Sequence, residues 1–481
     1  MNNQTPPNSK PLRLPVSSAD VLADMSASKV LQLEQAYGNG DLIRVLAALG
    51  IAGPLRVLDP WQLEDPKGIH LIHAGGYAAL PFGEGYAPLV DFVKAYLEHP
   101  TSLAFPQQSA ASWRAALETN LIALLSHHAA SHHDSQVFFS NSGAEAIEAA
   151  LKFARAARPN ARYLINFVKA YHGKTLGALS LTPNEEYQAP FRPLLPDVLT
   201  LPYGDMAAFE AVIQKHKNDI AAVIIEPIQG EGGVIVPPPG YLAAVGQLAR
   251  KHGIIIVADE IQSGLGRTGH AFASLAAGLE PDVITLAKPL GGGLLPVGAT
   301  IARKHIVQKA LGGLASKRHS NTFGGGSLAM AVALKSLDII IEDNLIDRAR
   351  DFGERGLARL YKIQRTYPDI LSEVRGAGML FALQFRPLIA PQHLGDYGEL
   401  AAQFTSGLAL RSLHQGGVHA CYTLNSSSTL RLTPALNIPE LLFDELFDRT
   451  ERAISQHPRS WQLVPQTPLS SLLKLARLAL K

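Results

Sequence analysis

The apolar run Val283-Ile-Thr-Leu-Ala-Lys288 ends on a lysine, and the glycines Gly291, Gly292 and Gly293 follow closely. A lysine drawn into a pocket of low dielectric loses affinity for its proton, because desolvation disfavours the ammonium, and the neutral amine can condense with an aldehyde. Glycines beside it let the backbone approach a ligand closely. Taken alone, the same segment is better read as a strand whose terminal lysine points to water.

Asp259 changes that balance. It ends the preceding apolar run, Ile254-Ile-Ile-Val-Ala-Asp259, and a carboxylate at such a strand end can keep a pyridine nitrogen protonated, turning the ring into an electron sink. Its alternative is a helix cap. Gln262 follows closely enough to share the pocket, where its amide can hydrogen-bond a phenolic oxygen. A third element, Phe139-Ser140-Asn141-Ser142-Gly143-Ala144, is a strand running through a turn of small residues into a helix. Free N–H groups at a helix N-terminus with a serine hydroxyl beside them suit phosphate, although an ordinary serine cap has the same signature. At Tyr171-His172-Gly173-Lys174 an aromatic ring is available to stack on a planar cofactor, or simply to fill the core.

Elements that would position these residues are visible in the hydrophobic pattern. Short apolar runs at Val137 to Phe139, Tyr163 to Val168, Ala222 to Ile225, Ile254 to Val257 and Val283 to Leu286 read as buried parallel strands. The stretches between them are long enough for crossover helices, which implies a doubly wound α/β sheet. In that architecture ligands sit at the carboxyl ends of strands, where the unusual residues fall. From about residue 335 the texture shifts: a long helical pattern (Leu334 to Gln364), then Ile370 to Phe385, a helix near Leu400 to His414, a strand at Leu430 to Leu432 and a helix from Pro439 to Ser455. The resulting expectation is a flexible arm over 1–19, a helical extension over 20–67 with an amphipathic helix at 20–37, a large α/β domain over 68–334, a smaller α+β domain over 335–457, and an amphipathic tail over 458–481.

The 481 residues carry a net charge of +2 and a single cysteine, Cys421. Basic residues are dispersed among acidic ones, which argues against nucleic acid as a partner. An internal disulfide is excluded, no leader pattern opens the chain, and a cytoplasmic location is the expectation. No apolar stretch approaches the length needed to cross a bilayer. His128 and His132 have helical spacing, but no carboxylate or cysteine set completes a metal site. The basic amphipathic tail from Leu469 to Lys481 is expected to pack on its own subunit or a partner rather than on a membrane.

Read together and in order, six segments resemble the class III (ω-) aminotransferases of pyridoxal 5'-phosphate fold type I: NSGAEA (141–146), YHGKT (171–175), EPIQGEGG (226–233), DEIQSGLGRTG (259–269), LAKPLGGG (286–293) and NTFGGG (321–326). The resemblance spans roughly residues 65 to 457. It implies a large, mostly parallel sheet domain with a smaller α+β domain, and pyridoxal 5'-phosphate held by Lys288 as a Schiff base. It further implies phosphate binding by Ser142, Gly143 and Ala144, ring stacking by Tyr171 with His172 beside it, Asp259 on the pyridine nitrogen and Gln262 near the phenolic oxygen. Thr322 would reach the phosphate of a neighbouring subunit, which requires a homodimer with shared sites and leaves a tetramer open.

Such an enzyme works by two half-reactions, with an amine donor and then a keto acid at one cofactor. Its pocket must accept an amine chain in one and a dicarboxylate such as 2-oxoglutarate in the other, and an arginine left unpaired there would be costly. Glu231 and Arg431 match positions that form a switchable pair in several family members; a permanent ion pair is the alternative. The branch most resembled is that of the putrescine aminotransferases, through EPIQGEGGVIVPPPGYLAAV (226–245) and LAKPLGGGLLPVGATIA (286–302). Ornithine and acetylornithine aminotransferases commonly have arginine where this chain has Lys174, a point charge rather than a bidentate fork, which favours a diamine or other ω-amine donor. An ornithine-type donor, or another reaction on the same scaffold (aminomutase, racemase, decarboxylase), is the alternative. One departure stands out: Gly75 to Pro88 lacks the histidines of the family's GH-x-HP element.

Overall fold

The computed structural model describes residues 14–99, 102–105, 107–388, 398–465 and 468–479. Two compact units partition them. One holds the described residues up to Arg56, Glu64–Ile69 and the C-terminal helix; the other holds Val57–Leu63 and the described residues from His70 to Pro465.

In the larger unit a seven-stranded sheet runs in the order Gln136–Ser140, Gly298–Ala302, Val283–Leu286, Ile255–Asp259, Ile220–Ile225, Tyr163–Phe167, Val198–Leu201. All neighbours are parallel except at Gly298–Ala302, which is antiparallel to both strands beside it. Every residue of Ile220–Ile225 is buried, as a strand covered on both faces by helices must be. Ile147, Leu151 and Phe153 of the helix Gly143–Ala157 pack with Ile224, Val257 and Val283 of the sheet in one apolar cluster. All five expected strands are present. Val198–Leu201 and Gly298–Ala302 had not been expected: the first is short and partly exposed, and the second, Gly-Ala-Thr-Ile-Ala, carries little bulk to mark it.

A second, antiparallel sheet is ordered Leu371–Ala377, Leu380–Phe385, Thr429–Leu432, Cys421–Tyr422. Thr429–Leu432 is buried throughout and carries Arg431. The long helical pattern from Leu334 is two helices, Ser327–Glu342 and Leu345–Thr366, broken where Asn344 adopts φ 51°, a left-handed conformation that asparagine tolerates better than most residues. The helix expected over 20–37 is likewise two, Ser18–Leu22 and Ala27–Tyr37, separated by Asp24 at φ 64°. Of the arm expected over 1–19, residues 1–13 lie outside the described residues, while Ser17 caps the first helix through a reciprocal pair of hydrogen bonds with Asp20. The tail forms the helix Leu469–Ala479, which lies against Gly40–Leu49 of the same unit. Among the described residues no helix is long and apolar enough to cross a membrane.

One close approach fixes the long helix Leu345–Thr366 on the second sheet. A Cβ at Gly353 would meet the Gly378 backbone at 2.5 Å, in a turn where Gly378 itself has φ 52°. Gly353→Ala is therefore expected to destabilise the protein by about 1–3 kcal/mol, the usual scale of overpacking. A denaturant midpoint at or above that of the parent would show that the turn yields freely.

Candidate active site

Five strands deliver the site residues from their carboxyl ends: Ser140 leads to Ser142, Phe167 to Tyr171, Ile225 to Glu226, Asp259 ends its own strand, and Leu286 leads to Lys288. They meet at a cavity of about 520 Å³ lined by Ser142, Tyr171, His172, Glu231, Asp259 and Lys288, among others. The same wall includes Gly143, Ala144, Lys174, Glu226 and Gln262. Only Thr322 and Arg431 of the expected set fall outside that lining. Thr322 is exposed, and its carbonyl accepts from the Gln107 amide at 3.2 Å.

Lys288 opens a short 3-10 turn with φ 36°, a strained conformation of the kind that persists where surrounding structure enforces it. It is half-buried rather than solvent-facing. Burial lowers its amine below the ordinary lysine range, against the opposing attraction of Glu231. Asp259 is 4% exposed. Its Oδ2 lies 2.7 Å from Nδ1 of the buried His172, and its Oδ1 accepts from the Ile261 amide at 3.1 Å. The second ring nitrogen of His172 has no hydrogen-bond partner. The carboxylate is thus fixed in orientation, and is not a helix cap.

Ser142 caps the helix Gly143–Ala157, its Oγ accepting from the Glu145 amide at 3.2 Å. That is the ordinary capping role, and it is compatible with anion binding, because the amides at the start of the helix lack intrahelical acceptors. A Cβ at Gly298 would meet the Ser142 carbonyl at 2.3 Å, so the antiparallel strand passes this turn only as glycine.

The Glu231 and Arg431 side chains are 5% and 0% exposed and form an ion pair at 2.8 Å. Burial alone would raise the Glu231 carboxyl, but Arg431 and Lys288 outweigh it and hold it below the usual range. Gln262 bridges the pair, its Oε1 accepting from Arg431 at 2.9 Å and its Nε2 donating to Glu231 at 3.4 Å. Lys174 is exposed, with its ammonium 4.0 Å from the centroid of the Tyr187 ring.

Two buried charged residues escaped the sequence reading. Glu226 is buried, and its two oxygens accept from the Tyr171 amide at 2.9 Å and the Gly230 amide at 3.0 Å, which ties the Tyr171 loop to the Glu231 loop. Burial raises its carboxyl, with His172 opposing. Its place at the head of EPIQGEGG was the available signal. Arg267 is fully buried and donates to the carbonyls of Met379 at 3.0 Å and Pro434 at 2.6 Å; burial pushes its guanidinium down to about 9. Nothing local in the sequence pairs it with those carbonyls. His132 turns out to be a buried core histidine, bonded to Ser135 and to the Pro281 carbonyl. Among the described residues no group of three or more His, Cys, Asp or Glu is placed to hold a metal.

A cavity of this size is in the range of small-cofactor sites, and it combines an amine of lowered basicity, a fixed carboxylate and a helix N-terminus. The residues therefore fit an aldehyde-bearing, phosphorylated pyridine. An open α/β sheet with such a cavity at its carboxyl edge has the build of a pyridoxal-phosphate enzyme of fold type I. The family model for Aminotransferase class-III matches residues 61–454, and the chain belongs to that family. It is a pyridoxal-phosphate-dependent aminotransferase. Among solved structures it is similar to an ornithine aminotransferase from Toxoplasma gondii, with a TM-score of 0.76 at 25% identity over 91% of this chain and 97% of that one. An acetylornithine aminotransferase from Elizabethkingia anophelis gives 0.71 at 26% identity over 90% and 100%. An amine transaminase from an uncultivated Pseudomonas species, in its PLP-bound form, gives 0.74 at 24% identity over 93% and 99%, a likeness of fold.

Proposed function

We propose that the protein is an ω-aminotransferase that moves the terminal amino group of a diamine or ω-amino compound, putrescine-like in chemistry, to 2-oxoglutarate by a ping-pong sequence. The observation that carries this reading is the buried Glu231–Arg431 pair beside Lys288. With an amine chain in the pocket, Glu231 neutralises Arg431; with a dicarboxylate, Arg431 is released to its carboxylate. A pocket meeting only one charge type would have no need of a buried cation with a buried counter-charge of its own.

When bound, pyridoxal phosphate supplies an aldehyde that captures the amino group and a ring that withdraws electron density from the substrate carbon. Lys288 attaches the cofactor and, once displaced, its amine of lowered basicity carries the proton away from the substrate carbon. Asp259, steered by His172, keeps the ring nitrogen protonated. Ser142, Gly143 and Ala144 would hold the phosphate, Tyr171 would cover the ring, and Gln262 would meet the phenolic oxygen. Thr322, exposed and outside the lining of its own cavity, would reach the phosphate of a second copy in a homodimer.

A second reading has its own support. Lys174 lines the cavity with its ammonium over the Tyr187 ring, and a donor that carries a carboxylate, of the ornithine type, would meet a cation there. Mixing the holoenzyme with single amines and following the cofactor's absorbance separates the two. Putrescine and similar diamines are expected to convert the cofactor to its amine form faster than ornithine or acetylornithine. Faster conversion by the amino acids would assign the enzyme to the ornithine branch instead.

A further inference from the structure

Glu231 cannot leave Arg431 without somewhere to go. Its carboxylate is buried, and an uncompensated buried charge is strongly disfavoured. The structure places a second partner on it already: the Leu424 amide donates to Glu231 Oε2 at 3.1 Å, while Arg431 holds Oε1 at 2.8 Å. A backbone N–H is a fixed donor that needs no reorganisation to receive a charge.

The Leu424 amide belongs to the turn between the strands Cys421–Tyr422 and Thr429–Leu432, and that turn is fastened to the Glu231 side of the pocket by Asn425. The Asn425 amide donates to the Glu231 carbonyl at 2.9 Å. Its side-chain Nδ2 donates to the Ala170 carbonyl at 2.8 Å, next to Tyr171, and its Oδ1 accepts from Asn184 at 3.0 Å. Tyr187 adds a bond from its hydroxyl to the Leu424 carbonyl at 3.0 Å. Within itself the turn is closed by Thr423, Ser426 and Thr429. Asn425 therefore ties residues 170 and 184 to the turn through its side chain and residue 231 through its backbone amide, around the amide that faces Glu231.

We propose that the Leu424–Asn425 turn is the resting place of the Glu231 carboxylate when Arg431 turns to an anionic substrate, and that Asn425 is a positioning residue for acceptor recognition. This rests on the switching role of Glu231 and Arg431 given above. The Leu424 amide keeps the carboxylate charged and compensated while Arg431 is away. With Asn425 shortened, the turn loses its side-chain ties to Ala170 and Asn184, the Leu424 amide is less firmly placed, Glu231 leans more on Arg431 and Gln262, and release of Arg431 becomes harder.

The test measures binding of glutarate, an unreactive dicarboxylate, to holoenzyme by calorimetry, in the parent, Asn425→Ala, Arg431→Ala and the double variant. Asn425→Ala is expected to raise the glutarate Kd about tenfold, the scale of weakening one hydrogen bond to a charged group, with the cofactor absorbance unchanged. Asn184→Ala should act in the same direction, more weakly. In the Arg431→Ala background the effect of Asn425→Ala should vanish, because the latch acts only through Arg431. An equal effect in both backgrounds, or none in the parent, overturns the latch. If Arg431→Ala itself leaves the glutarate Kd unchanged, the switching role fails instead, whatever Asn425 does.

Discussion

Lys288→Ala is expected to lower turnover by on the order of 10⁶-fold, the scale on which loss of a covalent catalytic group acts. Borohydride treatment followed by proteolysis should then find no cofactor attached to the peptide that spans residue 288. The size of the effect follows from two roles resting on one amine, attachment of the cofactor and transfer of the substrate proton. No neighbour can take them over: among the residues lining the cavity the other lysine, Lys174, is exposed and engaged with the Tyr187 ring. The fold should survive the change, because Ala287 to Gly291 is held by flanking buried residues rather than by the lysine side chain. Activity within tenfold of the parent would return Lys288 to the status of a strand-end lysine, which its sequence context alone allows.

The Lys288 pocket shows why some parts of this protein are legible in its sequence and others are not. Residues that act from the carboxyl ends of strands are marked by local pattern: an apolar run followed by Asp259, by Lys288 or by the small turn before the helix at Gly143. Their partners along the same loops, Gln262 and Tyr171, come with them. Glu226 was missed because its work is done by side-chain bonds to two amides, Tyr171 and Gly230, of which one is remote in sequence. Arg267, Leu424 and Asn425 are harder still, since each meets its partners across long separations and partly through backbone atoms that carry no residue identity. The same holds for the fold. Strands buried on both faces announce themselves, whereas the breaks at Asp24 and Asn344 are single-residue backbone reversals inside otherwise helical patterns. The strand Gly298–Ala302 is hidden by its small residues, and those are needed where it passes the Ser142 turn.

Arg431→Ala is expected to separate the two half-reactions. For the keto-acid half, measured from the amine form of the cofactor with 2-oxoglutarate, the ratio kcat/KM should fall by on the order of 100-fold, about 2.7 kcal/mol, which lies within the range for truncating one partner of a buried charge pair. For the amine half the loss should stay within about tenfold, because there Arg431 is paired with Glu231 and does not meet the substrate. Some loss is unavoidable. Without Arg431 the Glu231 carboxyl loses the chief attraction that holds its pKa down, leaving Lys288 and the Leu424 amide as compensation. Burial then pushes the carboxyl up, so Glu231 takes up a proton in the variant at a higher pH than in the parent. The amine half should accordingly become more pH-dependent in the variant, while the keto-acid half stays poor at every pH. Equal losses in both halves would mean that the pair is a permanent structural ion pair, with acceptor recognition resting on another cation, for which Lys174 is the pocket-lining candidate.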